Sequence, residues 1–204
     1  MRISELAERS GVPVATIKYY LREKVLPEGE RSSPTQASYG EAHLRRLGVI
    51  RALVDAGVGI AGVRRVVAVL EDPPENPSDL LGAANAAVTP AFPEGMDLCE
   101  ANALLTRMGG SPQACFPDQV AAVAHALSAL ERAGFTVPPS VMDAYLEHLS
   151  ALAEAELAAT PDTSLEDAVR YVVLGTALVE PLILALRRAA EQIAASRRFG
   201  APGD

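Results

Sequence analysis

An all-α fold, interrupted only by a small β-wing, is what this sequence predicts, on three observations. Apolar residues recur at three- and four-residue spacing along most of the 204 positions, the period of helices with one buried face. Gly and Pro, fifteen of each, supply most of the interruptions between these stretches. Sustained alternation of β-branched residues is missing, so no extensive sheet is expected. Aromatic residues make up 4% of the chain and Trp is absent, which leaves Ala, Leu and Val to fill the cores. An apolar fraction of 49% over this length suits two domains, one small and one near the usual size.

Ile3 to Arg9 gives a short helix with Leu6 and Ala7 inward, and Gly11 follows where a left-handed turn is needed. Pro13 suits the start of a second helix, because the N–H it lacks would find no partner in a first turn. In that helix, Val14 to Val25, the residues Val14, Ile17 and Leu21 share one face. Ala15, Lys18, Tyr19 and Arg22, with Thr16 beside them, face the other way. Helix, glycine turn and a second helix with cationic and aromatic side chains outward make a helix-turn-helix whose second helix suits the major groove of DNA. A packed helical hairpin would show the same spacing. Pro27 to Ser38 then has the polar, turn-rich composition of a loop or wing, in which Arg31, Ser32 and Ser33 would supply donors to a phosphate backbone. Glu41 to Ala56, closed by Gly57, and Gly59 to Leu70 complete this part as two further helices.

Charge separates along the chain in the same sense. Residues 1–70 hold 11 Lys and Arg against 7 Asp and Glu; the rest holds 7 against 19, and the total is −8. The basic part is the part with the outward cationic helix, as neutralisation of phosphates requires, so overall acidity does not argue against double-stranded DNA as a partner.

From Met1 to Leu70 the chain resembles the MerR family of transcriptional regulators. The residues that carry the resemblance are ISELAERSGVPVATIKYY (Ile3 to Tyr20), LREKVLP (Leu21 to Pro27), Tyr39 ahead of the helix at Glu41, and the GVGIAGVRRV run through Val66. It implies a sequence-specific DNA-binding regulator acting as a homodimer on a pseudo-palindromic operator. Lys18 and Arg22 would lie nearest the bases, with Tyr19, Tyr20 and Tyr39 on the backbone. It also implies that the dimer distorts an over-long promoter spacer so that RNA polymerase engages, which would make the protein an activator. Arg45, Arg46, Arg51, Arg64 and Arg65 are candidates for phosphate contacts of the second helix pair. The chain departs from the family at Gln36 and Ala37, where a Tyr-Arg pair is common, and again at Glu71 to Ser78, where Pro73, Pro74 and Pro77 prevent one long dimerisation helix in its usual place.

These breaks give the expected domains: 1–72, a winged helix-turn-helix; 73–96, a Pro-rich linker with a short helix near Asp79 to Val88; and 97–199, a helical dimerisation and effector domain. The last should hold helices at Asp97 to Met108, Asp118 to Ala133, Ser140 to Ala159 and Ser164 to Arg198. Ser164 and Asp167 form a starting signature for the fourth, and Pro181 should kink or split it.

Chemistry is sparse. Cys99 and Cys115 match no metal-ligand spacing, the three His are scattered, and no phosphate loop or nucleophile elbow occurs; no enzyme, cofactor or metal is expected. Glu180 stands among apolar neighbours in YVVLGTALVEPLILAL, so it should be buried and either paired with Arg170 or Arg107 or placed in an effector pocket with Tyr145, Tyr171 and Leu178. Such a pocket would take a small apolar or cationic effector; control by a protein partner, or none, is the alternative. Tyr171 to Leu186 is short of a membrane span and no secretory signal is read at the start, so the expected place is the cytoplasm.

Overall fold

The structure, a computed structural model, describes residues 1–33, 36–110 and 117–200, with the backbone alone of Ser32, Ser33 and Leu165. Among them are nine helices and one two-stranded antiparallel sheet, as the composition and periodicity led one to expect. The chain divides into two compact units, Met1–Ala68 with Leu174–Asp204, and Val69–Val173.

The N-terminal elements are α1 (Ile3–Ser10), α2 (Val14–Arg22), β1 (Glu30–Ser33), β2 (Gln36–Ser38), α3 (Glu41–Asp55) and α4 (Ile60–Glu71). Gly11 ends α1 at φ +66°, and Gly57 follows α3 at φ +90°, its N–H bonded to Val54 O at 3.0 Å while that of Val58 reaches Leu53 O at 2.9 Å. That pair of bonds satisfies the last carbonyls of α3 in a Schellman turn, which needs a left-handed residue at Gly57. Helix α1 packs on both α2 and α3. Leu6, Ile17, Leu47, Ile50, Leu53, Val63 and Val66 are wholly buried. Each contributes about 1.5–3 kcal/mol by leaving water, far more than the exposed Arg9–Glu41 ion pair at 2.8 Å can add.

Strands β1 and β2 form the small wing, with Glu30 opposite Ser38 and Arg31 opposite Ala37. Its base is tight. A Cβ at Gly29 would lie 2.7 Å from the Ser38 carbonyl oxygen and 2.9 Å from the Tyr39 ring. Because one obstacle is backbone and the other a buried ring, Gly29→Ala should destabilise this unit by about 1–3 kcal/mol, read as a lower urea midpoint at unchanged slope.

In the second unit, α5 (Pro77–Val88) begins after Asn76, whose side chain accepts the Ser78 N–H at 2.8 Å. Helix α7 (Pro117–Arg132) packs on α5 and on α6 (Cys99–Arg107), around Ala101, Val120 and Ala124. Helix α8 (Pro139–Ala158) buries no residue. Its outward stripe is Val141, Tyr145, Leu149 and Leu152.

The last helix, α9 (Leu165–Phe199), starts as its sequence signature indicated: the Asp167 N–H bonds to Ser164 Oγ at 3.1 Å, and that hydroxyl donates to Asp167 Oδ2 at 2.8 Å. Thr163 donates to the same oxygen at 2.9 Å. The Ser164 bond first, then that of Thr163, holds the Asp167 carboxyl below the usual carboxylate range. A depressed folded-state pKa stabilises above the unfolded value and is lost as pH falls through the folded one. The first turn of α9 should therefore fray on acidification below about pH 4, seen as loss of amide protection at Ala168 and Val169, while Asp167→Asn should be frayed at every pH.

Helix α9 runs through Pro181 without a break, so splitting there is corrected. Pro181 leaves the Ala177 carbonyl without its helical donor, a cost one missing bond can impose without ending a 35-residue helix. Taken whole, Glu166–Phe199 has the length and hydropathy to cross a membrane, a longer segment than the Tyr171 to Leu186 run read from the sequence.

Candidate nucleic-acid interface

Helix α2 buries Ile17 and Tyr20, leaves Val14 and Leu21 half-buried, and presents Ala15, Lys18 and Arg22 to solvent, with Thr16 and Tyr19 half-exposed at the margin. The expected docking face thus gains Tyr20 as its centre. Arg22 is 74% exposed, and its guanidinium lies 5.3 Å from the Tyr19 ring centre, so the ring restrains a cation that would otherwise sample many rotamers. Lys18 and Arg22, four residues apart, project from the same side.

Two tyrosines assigned to the DNA backbone are placed otherwise. Tyr20 and Tyr39 are 8% and 7% exposed, and their rings belong to the core. Burial, then the carboxylate of Asp55, then Tyr19, raises the Tyr20 hydroxyl above the ordinary phenol value. Burial, then Glu28, does the same for Tyr39. Tyr39 packs edge-on against His43 at 5.2 Å, and its N–H reaches Met1 O at 2.9 Å. Both residues fix the frame on which the outward face stands. Arg31 is exposed on β1; the Ser32 side chain and Cys115 lie outside the described residues. Arg51 is exposed, 3.7 Å from Asp55, with its guanidinium against the Gly11 turn.

Arg64 departs furthest from a free phosphate contact. Its Nε donates to the Glu23 carbonyl at 3.0 Å, and its terminal nitrogen to Glu23 Oε2 at 2.8 Å, across 41 residues of sequence. The sequence offers no signal for this contact, because arginine outside an apolar stripe reads as solvated.

The expected enclosure of Glu180 is corrected. On α9 the last wholly or nearly buried residue is Ala177; Leu178 is half-buried, Glu180 is exposed, and Tyr145 and Tyr171 are 41% and 39% exposed. Arg107, suggested as its partner, pairs with Asp143 instead. A depression between α6 and α7, lined by Met96, Asp97, Glu100, Leu127 and Glu131, measures about 210 Å³, below the usual size of a ligand pocket. Among the described residues no three His, Cys, Asp or Glu converge as a metal site.

A buried α1–α2–α3 frame, a flanking two-stranded wing and an outward face of Lys18 and Arg22 define a winged helix-turn-helix DNA-binding domain. Residues 1–70 match the MerR HTH family of regulatory proteins. Over 70 residues the chain is 31% identical to the mercuric resistance operon regulatory protein of Bacillus cereus, a match covering 34% of this chain and 53% of that protein. The chain thus spans about half the length of this curated relative. A solved structure from Streptomyces coelicolor A3(2), provisionally assigned as a transcriptional regulator, is 32% identical over all of both chains, with a TM-score of 0.66. Residues 1–70 are thus a MerR-family helix-turn-helix domain, and the likeness over the full length is to a transcriptional regulator.

Proposed function

We propose that this protein is a homodimeric regulator that reads a pseudo-palindromic operator with α2. The observation that carries the reading is the outward face of that helix, where Lys18 and Arg22 stand over a rigid docking side. Lys18 and Arg22 reach base edges, Tyr19 orients Arg22, and Ala15 and Thr16 allow close approach of the groove wall. Arg31 and Arg51 lie at the edges of this face. Family membership of the first domain supports action at a promoter, with distortion of the spacer as the route by which RNA polymerase is recruited.

The dimer reading is supported by the end of α9. From Pro181 to Phe199 almost every residue is exposed, and Leu182, Leu186, Ala189 and Ile193 recur at spacings of four, three and four. Those are coiled-coil seam positions; Arg187, Arg188, Glu191 and Arg198 fall on the opposite side, away from a facing helix. Leu184 stands off this seam.

Selection of bound duplexes from a random-sequence library tests the proposal. A two-half-site consensus, with centres one helical turn or a multiple apart, is expected. Recovery of no preferred sequence would defeat it.

A further inference from the structure

The end of the reading helix is closed in an uncommon way. In α2 the Lys24 N–H bonds to Leu21 O at 3.1 Å and the Val25 N–H to Tyr20 O at 3.1 Å, a Schellman turn like that after α3. The left-handed position here is occupied by Lys24, at φ +58°, where Gly is the ordinary residue. A side chain in that region costs about 1–2 kcal/mol, so the turn needs support from outside the helix. Arg64 supplies it. The Glu23 carbonyl, which that turn leaves open, accepts the Arg64 Nε–H, and the Glu23 carboxylate accepts the second bond. A cation at this end also suits the negative pole of the helix.

Both bonds come from α4, whose Val63, Val66 and Val67 are anchored in the core. Val25 and Leu26, directly after the turn, are buried as well. The exit of α2 is therefore held on one side by apolar packing and on the other by a planar, two-pronged contact. A point charge on a flexible stem could not reproduce that contact. Rotation of α2 about its axis would carry Lys18 and Arg22 off their base edges, whereas sequence-independent attraction to the phosphates tolerates such movement.

We infer that Arg64 is a positioning residue for sequence recognition: it clamps the Glu23 end of α2 to α4 and so sets the angle at which Lys18 and Arg22 meet the bases, without touching DNA itself. The inference rests on the reading of α2 as the recognition helix.

The test compares the full-length protein with Arg64→Gln, Arg64→Lys and Glu23→Gln on two probes, the duplex selected by the wild type and a scrambled duplex of equal length, over a salt series. Arg64→Gln should lower affinity for the selected duplex about tenfold or more while leaving the scrambled duplex and the salt slope unchanged. Arg64→Lys should restore little, since one ammonium cannot span both acceptors. Glu23→Gln, which keeps the carbonyl bond, should lose less than Arg64→Gln. A fall on both duplexes with the salt slope reduced by about one would make Arg64 a phosphate contact and overturn the inference. So would unchanged specificity in a folded Arg64→Gln protein, judged by circular dichroism, or full rescue by lysine. Should Arg64→Gln unfold, Arg64→Lys decides: a folded protein with wild-type discrimination overturns it. A wild type with no preferred sequence would defeat the reading of α2 first, a failure seen before any variant is made.

Discussion

Lys18→Ala and Arg22→Ala should each weaken binding to the selected operator by about 1–3 kcal/mol, roughly 5- to 150-fold, at fixed salt. The magnitude follows from a base-edge hydrogen bond lost in the groove rather than from one phosphate charge, which binding to random DNA would feel equally. The two substitutions should therefore compress the ratio of specific to non-specific affinity and relax preference at separate base pairs. Tyr19 supplies an internal check, because its ring lies 5.3 Å from the Arg22 guanidinium. Tyr19→Ala should cost less than Arg22→Ala, and the double variant should cost less than both effects added, since the ring acts through the arginine it restrains. Wild-type discrimination in both Lys18→Ala and Arg22→Ala would remove α2 as the reader.

The frame behind this face was legible in the sequence where local chemistry decides the outcome. Gly11 and Gly57 mark left-handed turns that few other residues enter, and both end helices there. Ser164 and Asp167 announce a helix start through bonds made within four residues. What the sequence did not disclose depends on partners far along the chain. Tyr19 and Tyr20 are adjacent and chemically identical, yet Tyr20 is 8% exposed and Tyr19 half-exposed, a difference that packing beyond the helix itself decides. The left-handed Lys24 and its clamp from Arg64 violate the glycine rule on which a sequence reading depends. At Glu180 the reading failed for the opposite reason: apolar neighbours suggested enclosure, but apolar surface at the end of α9 is left uncovered within the single chain.

That uncovered surface sets the second expectation. Leu182, Leu186 and Ile193 are 56%, 60% and 53% exposed, yet they share one stripe with Ala189, whose small side chain would let a facing helix come close. Helices in proteins draw most of their stability from packing an apolar face, so this uncovered end of α9 stands to gain from a partner. A second copy presents the same stripe, and Arg187, Arg188, Glu191 and Arg198 on the far side need not approach one another across the seam, while Arg197 flanks it beside Ile193. Leu186→Asp combined with Ile193→Asp should convert a dimer into a monomer by sedimentation equilibrium and reduce helical content at the end of α9. Operator affinity should fall by about 10²-fold or more, because the second half-site contact ceases to be intramolecular. Arg188→Glu, on the opposite side, should leave the dimer intact. A double variant that stays dimeric would place the interface elsewhere, with the α8 stripe of Tyr145, Leu149 and Leu152 the next to test. A wild type that is monomeric and sediments with membranes would give the same stripe to lipid, since α9 has the length and hydropathy to span a bilayer. Between those outcomes the seam spacing favours the dimer: Arg187, Arg188 and Glu191 would be costly inside the hydrocarbon of a spanning helix, whereas a paired helix leaves them in water.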